Sequence, residues 1–344
     1  MPDTVTEPLA PPVQRGSGDG PPRWRSFVRW EAALVVVLVA VLAFGETHSS
    51  TFLSSSNVFY IGLNVGEIAI MALPMLLIIM TGDIDLSVAS MLGLSGSVMG
   101  ILFSHGWSVW PAMLAALVVG LLGGALNGFL VAKLGLPSIA VTIGTLTLFR
   151  GISEIILAPQ TVAGFPTSLT TIGVSPVPHT ELSWSTLIFG VLAIACAFVL
   201  HGSPLGRSIV AIGLQPEAAK FAGVRVNRIR FGLFVLSGLL CSLAGILFTL
   251  KNSSVSYDAG TGLELNVVAV VLFGGISIFG GRGTVVGVVL SVAIVGSLQQ
   301  ALTQRNIQPE VQNIVTGVLL LISVIVPNSG AAVRRIRGRA RRPG

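Results

Sequence analysis

Residues 57–80 read NVFYIGLNVGEIAIMALPMLLIIM. One charge, Glu67, interrupts an otherwise apolar run. As a helix this stretch crosses the ~30 Å of bilayer hydrocarbon, which takes about 20 apolar residues. Outward from it the pattern recurs. The apolar segments are 28–46, 57–80, 86–104, 109–133, 138–157, 183–202, 229–251, 263–280, 283–302 and 310–327. They predict an all-α, polytopic transmembrane helical bundle of about ten spans. The fifth and eighth segments are rich in Gly and Thr and are the candidates for a broken or re-entrant span.

The bulk numbers agree. Of 344 residues, 52% are hydrophobic and only 10% charged, with a mean hydropathy of +0.87. Soluble domains carry about 25% charged residues. A chain this poor in charge needs lipid as the solvent for much of its surface. The 41 glycines suit transmembrane helices, where small residues bring backbones together.

Charge also sets the orientation. With the N-terminus inside, three of the 20 Lys and Arg residues fall on outer connections or near outer span ends, namely Arg150, Lys251 and Arg305. The rest fall on the cytoplasmic side, as the positive-inside rule requires, and both termini are then cytoplasmic. Residues 1–27 and 328–344 read as basic, disordered tails around a membrane domain at 28–327. Arginines before the first span imitate a signal peptide, but no cleavage motif follows, so an uncleaved anchor is expected. With this topology spans two to five and seven to ten start from opposite sides, so any repeat relating them is inverted.

Several function classes drop out. Cys196 and Cys241 sit in apolar runs at no ligand spacing, and the four histidines are scattered, so no metal site is expected. There is no phosphate loop and no nucleophile–base pair, which argues against an enzyme. The basic residues lie beside spans, where they read as topology signals rather than a nucleic-acid surface.

Polar groups inside spans are costly and draw functional interest. Glu67 lies within the second span, and Asp83 and Asp85 lie in Thr81-Gly82-Asp83-Ile84-Asp85-Leu86-Ser87 after it. The two aspartates have two readings: capping or scaffolding the third helix, or lining a polar passage. Arg150 and Glu154 are four apart and are expected to neutralise each other on one helix face. Glu264 opens the eighth span. Asn64, Asn127, Thr145 and Asn266 offer uncharged polar groups to a passage, or equally to interhelical hydrogen bonds. The carboxylates leave an ion-coupled secondary transporter open as an alternative.

The longest cytoplasmic connection is 203–228. Within it Pro216 can open a helix, Glu217 suits its positive end and Gly223 can stop it. Glu217-Ala218-Ala219, with Gly223 after three residues, resembles the EAA motif by which permeases of ATP-binding-cassette importers dock on their ATPase. Thr81 to Ser90 (TGDIDLSVAS) resembles the T-x-G-I-D-L-S-V-G-S signature of ribose-type sugar permeases, with Asp83 and Ala89 where many members have Gly. Leu136 to Thr145 with Phe149-Arg150-Gly151, and Gly262-Leu263-Glu264-Leu265 through Gly274-Gly275 and Gly280-Gly281 to Gly283, resemble two further blocks of that family.

The likeness runs over about 30–327 and points to the ribose, xylose, rhamnose and autoinducer-2 branch, nearest in look to rhamnose or autoinducer-2 permeases. It implies an ABC sugar-importer permease in the cell membrane that binds no cofactor itself. Its implied partners are a cytoplasmic ATPase that uses the ATP, an extracytoplasmic solute-binding protein, a second permease copy or sister permease, and a sugar-like solute. It gives Pro216, Glu217, Ala218, Ala219 and Gly223 the coupling role. Arg150, Glu154, Glu264 and the paired glycines are then structural.

Overall fold

The computed structural model describes residues 24–157, 159–308, 310–319, 321–322 and 325. The tails at 1–23 and 328–344 lie outside the described residues. Helix α1 is Trp24–His48, α2 Ser55–Met80, α3 Val88–Ser104, α4 Val109–Gly128 and α5 Ser138–Leu157. A short α6 (Thr167–Val174) and α7 (Trp184–Ala197) follow, then α8 (Pro204–Leu214), α9 (Pro216–Phe221) and α10 (Val226–Asn252). The set ends with α11 (Leu263–Phe273), α12 (Val285–Gln304) and a helical run at 310–319. One π-helical turn extends α4 over Phe129–Lys133 and another extends α7 over Phe198–Gly202.

Local chemistry sets the helix starts. Ser54, Ser183, Ser203 and Thr284 each accept a backbone N–H of the first turn, from Asn57, Thr186, Gly206 and Gly287. Small hydroxyl side chains do this at the N-cap, where four N–H groups have no helical partner.

Among the described residues seven helices are long and apolar enough to cross a membrane; α3, α8 and α11 are shorter apolar helices. Among the described residues helices lie at the first seven predicted spans and at the ninth; the tenth, 310–327, falls partly outside the described residues, and no helix of spanning length covers the eighth. That segment is only the 11 residues of α11, about 16 Å, roughly half the hydrocarbon. It breaks because Gly275 (φ 87°) and Gly280 (φ 79°) take a left-handed backbone that L side chains avoid. The fifth segment, in contrast, is the unbroken α5. A two-residue ladder, Val162↔Val255 and Ala163↔Ser254, joins the connection after α5 to the one after α10. The all-α expectation did not include it.

The centre is α2, buried from Val65 to Met80 and packed on α7, α10, α11 and α12. Beside it stands α10, which packs on α3 and α4. Gly120 and Gly124 of α4 meet Gly238 and Phe234 of α10 backbone to backbone, and a Cβ on any of these glycines would collide. This is the small-xxx-small packing that lipid-embedded helices use in place of a hydrophobic drive.

Candidate coupling helix and buried polar network

The 203–228 connection holds two short helices, α8 and α9, before α10 begins at Val226. Pro204 and Pro216 start them, as Pro at the first helical turn has no N–H to waste. Between them Gln215 is extended (φ −161°, ψ 98°). α9 ends in a Schellman motif: the Gly223 N–H donates to Lys220 O at 2.9 Å and the Val224 N–H to Ala219 O at 3.0 Å. Gly223 carries the left-handed φ of 85° this requires.

One face of this unit is fixed and the other free. Ala219, Ile212 and Val226 are buried together with Ala211, Val224 and Ile229 around them, which ties α9 to α8 and α10. Glu217 and Ala218 are exposed, and Lys220 reaches Glu217 at 2.8 Å. Phe221, not singled out in the sequence, is 91% exposed. Its signal was an aromatic at the polar end of a short helix.

α8 carries the unit into the core. Gly213 abuts Met80 O at the end of α2 and the backbone of Gly281, where any side chain would collide. Gly281 N–H donates to Met80 O at 2.9 Å, and Gly280 lies against Gly82 and Gly213. The end of α2, the end of α8 and the loop after α11 therefore meet at one joint. Gly274 packs directly on Val288 of α12. Trp30 covers Gly275 and donates from its indole to Phe273 O at 3.2 Å, while the Thr284 hydroxyl donates to Glu31.

The seven polar candidates do not converge on one passage. Asp83, Asp85 and Asn127 form one network. Asp83 Oδ2 stands 3.0 Å from Arg230 Nε, off the N–H axis, and accepts from Thr81 Oγ1 at 3.2 Å. Arg230 also donates to Thr81 O. Asp85 Oδ1 accepts from the Ser87 N–H and hydroxyl at 3.0 and 2.6 Å, and Oδ2 from the Ser237 hydroxyl at 2.8 Å. Asn127 Nδ2 donates to Ser87 Oγ at 2.8 Å. In this loop between spans, burial pushes both carboxyls above the ordinary carboxylate value. Arg230, Ser138 and Thr81 oppose the rise at Asp83, and Ser87 and Ser237 oppose it at Asp85.

Glu67 is elsewhere. Its Oε2 meets Lys251 Nζ at 2.8 Å, and Lys251 also donates to Leu63 O. Lys251, expected near an outer span end, lies in the last turn of α10 and turns its ammonium inward. Asn64 donates to Gln300 Oε1, and Gln300 and Gln304 both donate to Asn57 Oδ1, which makes an amide ladder between α2 and α12. Gln300 inside an apolar segment, with Gln304 just past its end, was the overlooked signal for it. Thr145 bonds back to Val141 O within its own helix, and Asn266 and Glu264 are half-buried on α11.

The Arg150–Glu154 pair is corrected. Arg150 donates to Ala259 O at 2.8 Å and Tyr257 O at 3.3 Å, across the bundle, while Glu154 is exposed. Carbonyls of the α10–α11 connection satisfy the guanidinium better than an acid on a solvent- or lipid-facing stripe. Among the described residues no group of His, Cys, Asp and Glu is placed to hold a metal ion.

Comparison with known proteins gives this architecture its place. A family model described as "Branched-chain amino acid transport system / permease component" matches residues 57–324, from α2 to the last helical run. The ribose import permease protein RbsC of Escherichia coli K12 is 34% identical over 303 residues, 87% of this chain and 94% of that protein. The autoinducer 2 import system permease protein LsrC of Salmonella choleraesuis is 32% identical over 293 residues, 85% of this chain and 83% of that one. No solved structure gives a significant match. With most of its length matched in every one of these alignments, and with its helices laid out as a polytopic bundle, the chain belongs to the family of transport-system permease components, as a membrane subunit and not an enzyme.

Proposed function

We propose that this chain is the membrane-spanning subunit of an ATP-binding-cassette importer that passes a sugar or sugar-like solute into the cytoplasm. The observation that carries the reading is α9: a short helix locked on one face by Ala219, open on the other, and linked through α8 to the end of α2. A separate ATPase would grip Glu217, Ala218 and the exposed Phe221 and move that unit. Energy must enter this way, because the sequence has no phosphate loop of its own. A solute-binding protein on the opposite face and a second permease copy complete the assembly. The relatives that import ribose and autoinducer 2 support a polyhydroxylated solute.

In this reading Asp83, Asp85 and Asn127 scaffold the α2–α3 loop, and alternating access comes from two arrangements of the spans with different contacts to the ATPase. Ion coupling is the weaker reading, because Glu67 and Asp83 each face a cation and both oxygens of Asp85 are occupied. Uptake into vesicles holding the permease, its ATPase and its binding protein is the test. Uptake is expected to need ATP and to persist when a protonophore is added at constant ATP. Collapse under the protonophore, or uptake with no nucleotide, would overturn the assignment.

A further inference from the structure

Two adjoining cavities share Arg225 and Arg228. The smaller, about 310 Å³, is lined by Lys133, Lys220, Arg225, Val226, Asn227 and Arg228. Four cations face it and no carboxylate does. Glu217 answers Lys220; among the described residues Lys133, Arg225 and Arg228 pair with no acid. The larger, about 670 Å³, lies between α8 and α10 and is walled mainly by Leu205, Val224, Ile229, Gly232, Leu233 and Leu236.

The two form one stripe. Positions 225, 228, 229, 232, 233 and 236 recur at helical spacing along one face at the start of α10, charged first and apolar after. The stripe is open, since a Cβ on Gly232 would meet nothing within 4 Å. From 225 to 236 a helix rises about 16 Å, close to one leaflet's half of the ~30 Å hydrocarbon. Depth agrees as well. Lys133 closes the π-turn of α4 among Phe129, Leu134 and Leu136, which are 48%, 56% and 44% exposed. Exposed apolar groups of this kind face hydrocarbon, so the cations stand where the spans leave it.

We infer that these cavities bind one anionic phospholipid of the leaflet on the coupling-helix side. Its phosphate sits among Lys133, Arg225 and Arg228, and an acyl chain lies along α10 against Leu205. Basic residues at a headgroup boundary attract anionic lipid, and guanidinium groups bind phosphate with charge-assisted hydrogen bonds. An acidic protein surface or free phosphate would satisfy the cations and leave the apolar stripe unfilled. The lipid meets both, and it touches Arg225, the residue just before the first turn of α10 on the chain leaving the coupling helix.

The test is native mass spectrometry of the full chain in complex with its ATPase, delipidated and then titrated with phosphatidylglycerol or phosphatidylcholine. Preferential retention of phosphatidylglycerol is expected. Lys133→Gln with Arg228→Gln should lower that retention about ten-fold, to the phosphatidylcholine level. Gly232→Leu, which alters no charge and enters open space, should lower retention of phosphatidylglycerol too. Equal retention of both lipids by the wild type would overturn the inference. So would a charge variant that keeps the lipid but sheds the ATPase. Displacement of the lipid by inorganic phosphate, with Gly232→Leu silent, would identify a free-anion site and overturn it as well.

Discussion

Asp85 holds three hydrogen bonds on two oxygens, and its donors come from two elements. The Ser87 N–H and hydroxyl tie it to the start of α3, and Ser237 ties it to the body of α10. Asp85→Ala leaves Ser87 and Ser237 without their acceptor and loosens the Ser87 hydroxyl that Asn127 bonds, at about 1–3 kcal/mol for each orphaned buried group. It should lower the thermal midpoint of the purified protein by several degrees and reduce uptake. Glu46→Ala removes only an exposed acceptor of the Leu53 N–H and should stay within about 0.5 kcal/mol of wild type. Equal, mild effects would remove Asp85 from its scaffolding role. Glu67 and Lys251 invite a double-mutant cycle. Lys251→Gln alone strands the buried Glu67 carboxylate, at about 3–5 kcal/mol, and Glu67→Gln, which strands the half-buried ammonium, should cost less. The double variant should recover most of that loss. Additive losses in stability would mean that the pair is not the contact that matters.

At the scale of elements, α9 is a six-residue helix that owes its existence to its ends. Helices this short are marginal alone. Gly223→Pro demands a φ near −65° where 85° is needed and deletes the N–H that bonds Lys220 O. Uptake and stimulated ATPase activity should fall well below half while membrane insertion, followed by fractionation, is unchanged. Full uptake by this variant would remove α9 from the coupling path. The ends of α9 were legible in the sequence because Pro and Gly act locally. So were the long spans, whose hydrophobicity is a property of each segment alone. The break at 274–284 was only half legible: glycines mark where a helix can stop, but what it stops against is chosen by Gly213, Gly82 and Trp30 from distant segments. The same holds for charges. Spacing suggested that Arg150 would face Glu154, yet a guanidinium with five donors found two carbonyls on another element.

In the whole molecule, two long helices, α2 and α10, form the axis, and the coupling helices reach the end of α2 through Gly213 at close backbone contact. Gly213→Leu should therefore separate functions. The ATPase should still bind the exposed face of α9, while transport per ATP hydrolysed falls, as read in reconstituted vesicles. Unchanged coupling in a folded Gly213→Leu protein would show that force travels by another route. The sequence could not reveal this joint, since nothing in Gly213 itself distinguishes it from the other forty glycines. Gly275 has no side chain, and the indole of Trp30, whose bond to Phe273 O spans 243 positions of sequence, fills its place. Glu31 and Thr284 repeat the arrangement one step away. The broken segment is thus finished by the first helix, so a chimera that takes 273–284 from one relative must take 30–31 from the same parent, or the loop is left with a hole where its lid used to be.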